Sequence, residues 1–408
     1  MNCNAVCLII IVTILASCSM ENKRSINDRL QGVLDKEITK YGASGVSASV
    51  IFPDGSIWTG TSGVSHDTVK IKSDMLFAIG STTKNVVAAL TLKLNEEGLL
   101  SLEDPLSKWL PDYPYIDNKI TIRQLLNHTS GIYMFWENQQ IWDDLEKDKS
   151  RSWTPEEVLS YIKEPDFPAG EGWRYSNTNY LLLGMIIEKA TSSNLSTLFR
   201  NYFWKPLQLG DVYVTEMDSL PNNLAHPYGS KNMDYTFASR AAHETITFAS
   251  SGIFTSAKSL ALWSRALFEG EVLQEESMEE MLQFVEFNPI SNMRAYGLGV
   301  QLFRKRLSHG KDAIGHAGGN IGTTTYMVYL PDYHMSTVVM VNAFPNKTAS
   351  VITKALIKAS LKEIKVIGII PYIELFPTGI LIICIISGVS MIIFSILKKR
   401  KSRTSSCS

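Results

Sequence analysis

The chain has 408 residues, 45% of them hydrophobic, enough for one large or two intertwined domains with a substantial core. The formal net charge is −1, but Lys398, Lys399, Arg400, Lys401 and Arg403 contribute +5, so everything before them carries −6. A mildly acidic body without a basic patch excludes nucleic acid as a partner.

From the N-terminus, Ala5 to Ala16 is almost wholly apolar and runs into Leu15-Ala16-Ser17-Cys18. An apolar run of that length ending in small residues reads as a signal peptide over residues 1–18, too short to span a bilayer. Leu-Ala-Ser-Cys also resembles a bacterial lipobox, which would lipidate Cys18; Met1 to Cys7 lacks the Lys or Arg usual in an export signal, so plain cleavage stays open. The other cysteines are Cys3, Cys7, Cys384 and Cys407. Residues 19–383 therefore hold no disulfide, thiol nucleophile or cysteine–metal site.

Residues 25–41 place Ile26, Leu30, Val33, Leu34 and Ile38 at helical spacing and stop at Gly42. Val46–Phe52 and Ser56–Gly60 read as strands around the turn Pro53-Asp54-Gly55. Near the other end, Thr324–Leu330 and Ser336–Asn342 form a second hairpin around Pro331-Asp332, followed by an amphipathic helix over Lys347–Ile364. Between them, helical stretches (Val86–Glu97, Ile122–Leu126, Pro155–Ile162, Tyr180–Ala190, Ala257–Phe268) alternate with Pro- and Gly-rich loops. The order predicts an α/β (α+β) fold. Both chain ends build one antiparallel sheet flanked by helices, about 25–84 and 305–365, interrupted by a mainly helical part at about 85–304. A site is expected at the seam.

Phe376–Leu397 is 22 residues without a charge. At helical rise it reaches roughly 33 Å, enough to cross a ~30 Å hydrocarbon core. The basic tail 398–408 behind it would lie in the cytoplasm, and the body (about 25–365) on the outer side of a bacterial cell membrane, which agrees with an export signal.

Three short patterns carry chemistry. Ser81-Thr82-Thr83-Lys84 follows the strand-like Met75–Ile79 and Gly80 and opens a helix, so Ser81 and Lys84 share one face. A serine hydroxyl needs a base to become a nucleophile, and a desolvated lysine can supply it. The same spacing recurs at Ser308/Lys311 and Ser395/Lys398, so alone it decides little. Tyr175-Ser176-Asn177 is the only Tyr-x-Asn among sixteen tyrosines. A tyrosine beside a cationic lysine can have its phenolate favoured, giving a base and later an acid. Asn177 can donate to a substrate carbonyl and accept from Lys84. His316-Ala317-Gly318-Gly319 is the only His-x-Gly among seven histidines and precedes the strand near Thr324. Its glycines let a substrate backbone approach, and the amides of Gly319 and Ser81 could form an oxyanion hole. Taken singly, the last two patterns also fit a buried tyrosine and a turn histidine.

Together, in this order and spaced 94 and 141 residues apart, they resemble the superfamily of class C β-lactamases, D-alanyl-D-alanine carboxypeptidases and family VIII esterases. The resemblance runs over about residues 26–363. It includes the stretch Thr121–Gly131 (TIRQLLNHTSG), Leu102-Glu103-Asp104-Pro105-Leu106, and Ser251–Ala257 (SGIFTSA). It implies acyl transfer through acyl-Ser81, with Lys84 and Tyr175 handling protons and no metal or organic cofactor. His309 and His316 are also wrongly spaced for zinc. Members that hydrolyse β-lactams carry a lysine and a hydroxyl where this chain has His316 and Ala317, so carboxylate recognition is weakened. An ester, a D-amino-acid amide or a cell-wall D-peptide is then the expected acyl substrate. The alternatives are a true class C-like β-lactamase, a non-catalytic penicillin-binding sensor, and a scaffold in which Phe376–Leu397 is the working part.

Overall fold

The structure is a computed structural model that describes residues 26–215, 217–228, 241–290, 292–344 and 347–364. The chain divides into a unit Met1–Lys358 and a unit Ala359–Ser408, of which only 359–364 are described. The expected export signal with Cys18, the expected span Phe376–Leu397 and the basic tail lie outside the described residues. No helix among the described residues is long and apolar enough to cross a membrane.

The larger unit is organised by a nine-stranded antiparallel sheet. Its strands are β1 (Gly45–Ile51), β2 (Ile57–His66), β3 (Val69–Lys70), β7 (Val285–Ile290), β8 (Met293–Tyr296), β9 (Gln301–Phe303), β10 (Ile314–Asn320), β11 (Thr323–Leu330) and β12 (Met335–Val341). They lie side by side in the order β3-β2-β1-β12-β11-β10-β9-β8-β7. The two hairpins read from sequence therefore meet at the centre, where β1 pairs with β12 and Ala48 sits opposite Val339. Both strands are buried along their whole length, so helices must cover both faces. On one side the helix Ala257–Phe268 packs on β1, β11 and β12, with Ser264 and Ser336 hydroxyls 2.9 Å apart. The helix at 26–41 buries Leu30, Leu34 and Ile38, an i, i+4, i+8 stripe, and Gln31 donates to the Thr61 carbonyl of β2.

A second, three-stranded sheet, β4 (Phe77–Ala78), β6 (Ile253–Thr255) and β5 (Tyr213–Val214), lies in the order β4-β6-β5. The chain between β4 and β7 is mainly helical, as expected, and its long helices Thr83–Glu96 and Asn177–Thr191 are buried on almost every face.

Two boundaries differ from the sequence reading. The helical part does not run to about 304, because Val285–Phe303 folds into β7, β8 and β9 and extends the main sheet. These strands are short and broken by register shifts, and Gly299 turns the chain at φ +69°, so no alternation long enough to read survives. His316 does not only precede the strand near Thr324; it lies inside a strand of its own, β10. The glycines beside it, expected to let a substrate backbone approach, also permit close packing within the protein. A Cβ on Gly315 would lie 2.1 Å from the Met327 oxygen of β11, and one on Gly318 would lie 2.0 Å from the Ile79 oxygen.

Candidate active site

Ser81 sits where a strand meets a helix. After β4, Ile79 donates its N–H to the Ile253 carbonyl, and Gly80 turns left-handed at φ +55°. A Cβ on Gly80 would come within 2.5 Å of the Gly319 oxygen, so only glycine fits this crossing without a shift. A 3-10 turn (Gly80–Thr82) then feeds the helix Thr83–Glu96. Thr82, Thr83, Lys84 and Asn85 are buried, and Ser81 alone of this stretch stays partly exposed, open to a substrate. First-turn N–H groups have no acceptor within their own helix, so the Ser81 amide is available to a developing oxyanion.

Lys84 is fully buried. Its Nζ lies 3.3 Å from Ser81 Oγ and donates to the Ser250 carbonyl at 2.9 Å. The same nitrogen is 5.0 Å from the centre of the Tyr175 ring and 5.4 Å from that of Tyr180. No carboxylate pairs with it among the described residues. Burial accordingly holds its pKa well below the ordinary lysine value. An amine biased toward its neutral form would keep a lone pair able to take the Ser81 proton while it still donates to the Ser250 carbonyl.

Tyr175 is partly buried with its hydroxyl oxygen fully so, and burial pushes its phenol above the ordinary tyrosine value. Ser81 lies near enough to oppose that rise, yet the phenolic oxygen completes no hydrogen bond of ordinary geometry. The expected phenolate is therefore not favoured. The same burial works against the ammonium that would stabilise it, so both groups are biased toward their neutral forms.

Asn177 begins the helix Asn177–Thr191 and donates its backbone N–H to Met134 Sδ at 3.1 Å. Its Oδ1 is buried without a partner among the described residues, and Lys84 bonds Ser250 in place of the expected Asn177. The Asn177 amide is thus an uncommitted polar group beside Tyr175.

His316 is fully buried and makes two bonds. Its Nδ1 lies 2.7 Å from the Ala317 carbonyl and its Nε2 lies 2.8 Å from the Tyr296 hydroxyl. A carbonyl only accepts, so Nδ1 carries the proton and Nε2 accepts from Tyr296. Burial, and Lys84 nearby, hold its pKa down at about 3, which keeps it neutral at ordinary pH. Gly318 and Gly319 pass directly behind the Ser81 turn, where Thr82 Oγ1 and the His316 carbonyl are 3.4 Å apart and Thr323 donates to Ala78.

Sequence reading missed three contributors. Ser250 acts through a backbone carbonyl, which no residue type announces. Tyr296 and Tyr180 wall the site as ordinary core aromatics, and the Tyr180 hydroxyl donates to the Leu126 carbonyl. Their burial alone would not have set them apart from the remaining tyrosines.

A family model described as Beta-lactamase matches residues 29–361. The chain is 28% identical over 296 residues, 67% of its length, to a penicillin-binding protein of Bacillus subtilis (strain 168), of which it covers 62%. It is 28% identical over 218 residues to Esterase EstB of Burkholderia gladioli, 50% of this chain and 55% of that one. The chain thus spans less than two thirds of these relatives. Among solved structures, a D-stereospecific amidohydrolase from Streptomyces sp. superposes with a TM-score of 0.71 at 31% identity, covering 80% of this chain and 97% of its own. The match over 29–361 takes in Ser81, Tyr175 and His316 together, and the chain belongs to the Beta-lactamase family.

Proposed function

We propose that the protein is a serine hydrolase that transfers the acyl group of an uncharged ester or amide, D-amino-acid derivatives included, to Ser81 and then to water. The observation that carries this is the 3.3 Å approach of a fully buried, carboxylate-free Lys84 amine to the half-exposed Ser81 hydroxyl. As Ser81 Oγ attacks the carbonyl carbon, its proton passes to Lys84 Nζ. The N–H groups of Ser81 and Gly319 hold the oxygen that gains the negative charge. When the tetrahedral adduct collapses, the leaving group takes a proton from the Tyr175 phenol, which recovers one from the Lys84 ammonium. Water then repeats the sequence on acyl-Ser81 with Lys84 again as base.

Substrate class follows from the third strand of the site. A cation at His316 would hold a substrate carboxylate, but this imidazole is neutral and both its nitrogens are engaged within the protein. Ala317 offers no hydroxyl. Esters and amides without a carboxylate beside the scissile bond therefore suit the cleft better than β-lactams. Two of the similar proteins are an esterase and a D-stereospecific amidohydrolase, which supports the same reading. The uncharged stretch Phe376–Leu397, with five cations behind it, supports an anchor that holds the body outside the cytoplasmic membrane.

The test is turnover of purified protein on short-chain p-nitrophenyl esters, D-amino-acid amides, D-Ala-D-Ala peptides and nitrocefin. Esters or D-amides turned over faster than nitrocefin, with loss on Ser81→Ala, would support the reading; equal rates in Ser81→Ala would overturn it. Membrane fractionation of the full chain beside a truncation ending near Glu363 tests the anchor, and equal solubility of the two would refute it.

A further inference from the structure

Resting on the reading of Ser81, Lys84 and Tyr175 as the acyl-transfer set, we propose that His128 is the positioning residue that fixes Tyr175 against Ser81. Tyr175 needs such a device, since among the described residues its buried hydroxyl completes no hydrogen bond that would hold the tip of the ring. Its place is set by the backbone on either side and by what the ring packs on.

His128 supplies both. Its backbone carbonyl accepts the N–H of Arg174 at 3.1 Å, the residue before the tyrosine. Its imidazole Nδ1 accepts the N–H of Ser176 at 3.3 Å, the residue after. Its ring centre lies 4.4 Å from that of Tyr175, in contact with the face it must hold still. One residue therefore grips the tyrosine from both flanks and from the side. The backbone of His128 is left-handed, φ 64°, and in that turn carbonyl and ring reach the same segment.

The chemistry of the ring argues that its lone pair is the feature in use. Asn179 Nδ2 also lies 3.2 Å from Nδ1, and the Ser130 hydroxyl donates to Asn179 Oδ1 at 2.8 Å, so the amide presents its NH2 to the imidazole. With two donors aimed at it, Nδ1 is unprotonated and Nε2 carries the hydrogen. That Nε2–H is buried and has no partner among the described residues. A buried unpartnered donor is unfavourable, and a plain hydrocarbon ring would avoid it. What a hydrocarbon ring lacks is the acceptor for Ser176 and Asn179.

The test compares His128→Gly with His128→Asn, each alone and with Tyr175→Phe, by p-nitrophenyl ester turnover and by the rate of fluorophosphonate labelling. Glycine removes the ring without opposing the left-handed backbone, and asparagine tolerates that backbone while keeping an acceptor oxygen near the Nδ1 position. Misplacing a reacting group by about an ångström costs about 10²-fold, so His128→Gly is expected to lower kcat by about 10- to 100-fold with KM little changed. On top of Tyr175→Phe the same change should cost less than about twofold, and His128→Asn should recover most of the loss. An undiminished loss in the Tyr175→Phe background, or His128→Asn as impaired as His128→Gly, overturns the proposal. Should the glycine variant fail to fold, a folded His128→Asn labelled about tenfold slower than the parent overturns it, and near-parental labelling supports it. If Ser81→Ala keeps turnover, or Tyr175→Phe loses less than about tenfold, the acyl-transfer reading itself falls and takes the His128 role with it.

Discussion

Replacing Lys84 by Met separates the catalytic and the electrostatic parts of the account in one variant. Methionine keeps an unbranched side chain in a fully buried slot and removes the amine that faces Ser81 at 3.3 Å. Loss of a general base typically costs about 10² to 10⁴ in rate, or about 2.7 to 5.4 kcal/mol at 1.36 kcal/mol per tenfold. Stability should move the other way as pH falls. The folded-state pKa of Lys84 lies well below its ordinary 10.5, so between those two values the unfolded chain binds a proton that the folded one does not. Wild-type stability then falls as pH drops through that window, by up to about 1.4 kcal/mol per unit from this group, and levels off below the folded pKa. Lys84→Met lacks this term. It also leaves the Ser250 carbonyl without its donor, a fixed cost of about 1 to 3 kcal/mol that does not vary with pH. We predict that the stability of Lys84→Met relative to wild type rises as pH falls below the ordinary lysine range toward the folded pKa of Lys84, measured by urea unfolding, while fluorophosphonate labelling collapses. A stability difference independent of pH would mean that Lys84 stays charged in the fold. Labelling within about tenfold of wild type would mean that it is not the base.

Tyr175→Phe removes the phenol proposed to pass a proton to the leaving atom, and should lower acylation by about 10²-fold or more, read as the burst rate on p-nitrophenyl acetate. Gly80→Ala puts a Cβ 2.5 Å from the Gly319 oxygen at a left-handed position, and should cost about 1 to 3 kcal/mol of stability in thermal or urea unfolding while it separates Ser81 from β10. His316→Lys combined with Ala317→Thr restores a cation and a hydroxyl, and should raise acylation by carboxylate-bearing β-lactams relative to neutral esters. No change in that ratio would place the limit on substrate choice elsewhere in the cleft.

The sheet's centre was legible because β1 with β2 and β11 with β12 are hairpins closed by Pro-Asp turns, and long apolar strands leave a pattern. The strands between 285 and 303 were not, since three to six residues broken by register shifts and Gly299 show no period. The meeting of Ser81 and Lys84 could be read from helical spacing alone, a local property. Tyr175 and His316 entered through resemblance; nothing local says that residues 94 and 235 positions beyond Ser81 fold beside it. Protonation states were the least legible. A lysine next to a tyrosine suggests an ammonium favouring a phenolate, and only the burial of Lys84 and of the Tyr175 hydroxyl shows that both are biased toward neutral forms. His128 shows the same gap: in the stretch Asn127-His128-Thr129-Ser130-Gly131 it looks like a turn residue, and its grip on residues 174 and 176 is visible only in three dimensions.

The central claim is a covalent acyl-serine, and intact-protein mass spectrometry after mixing with a slowly released aryl ester tests it most directly. The account predicts an added acyl mass on the wild-type chain, mapped by digestion to the peptide holding Ser81, and none on Ser81→Ala. Turnover of the ester with the adduct on another residue, or undiminished labelling of Ser81→Ala, would contradict it.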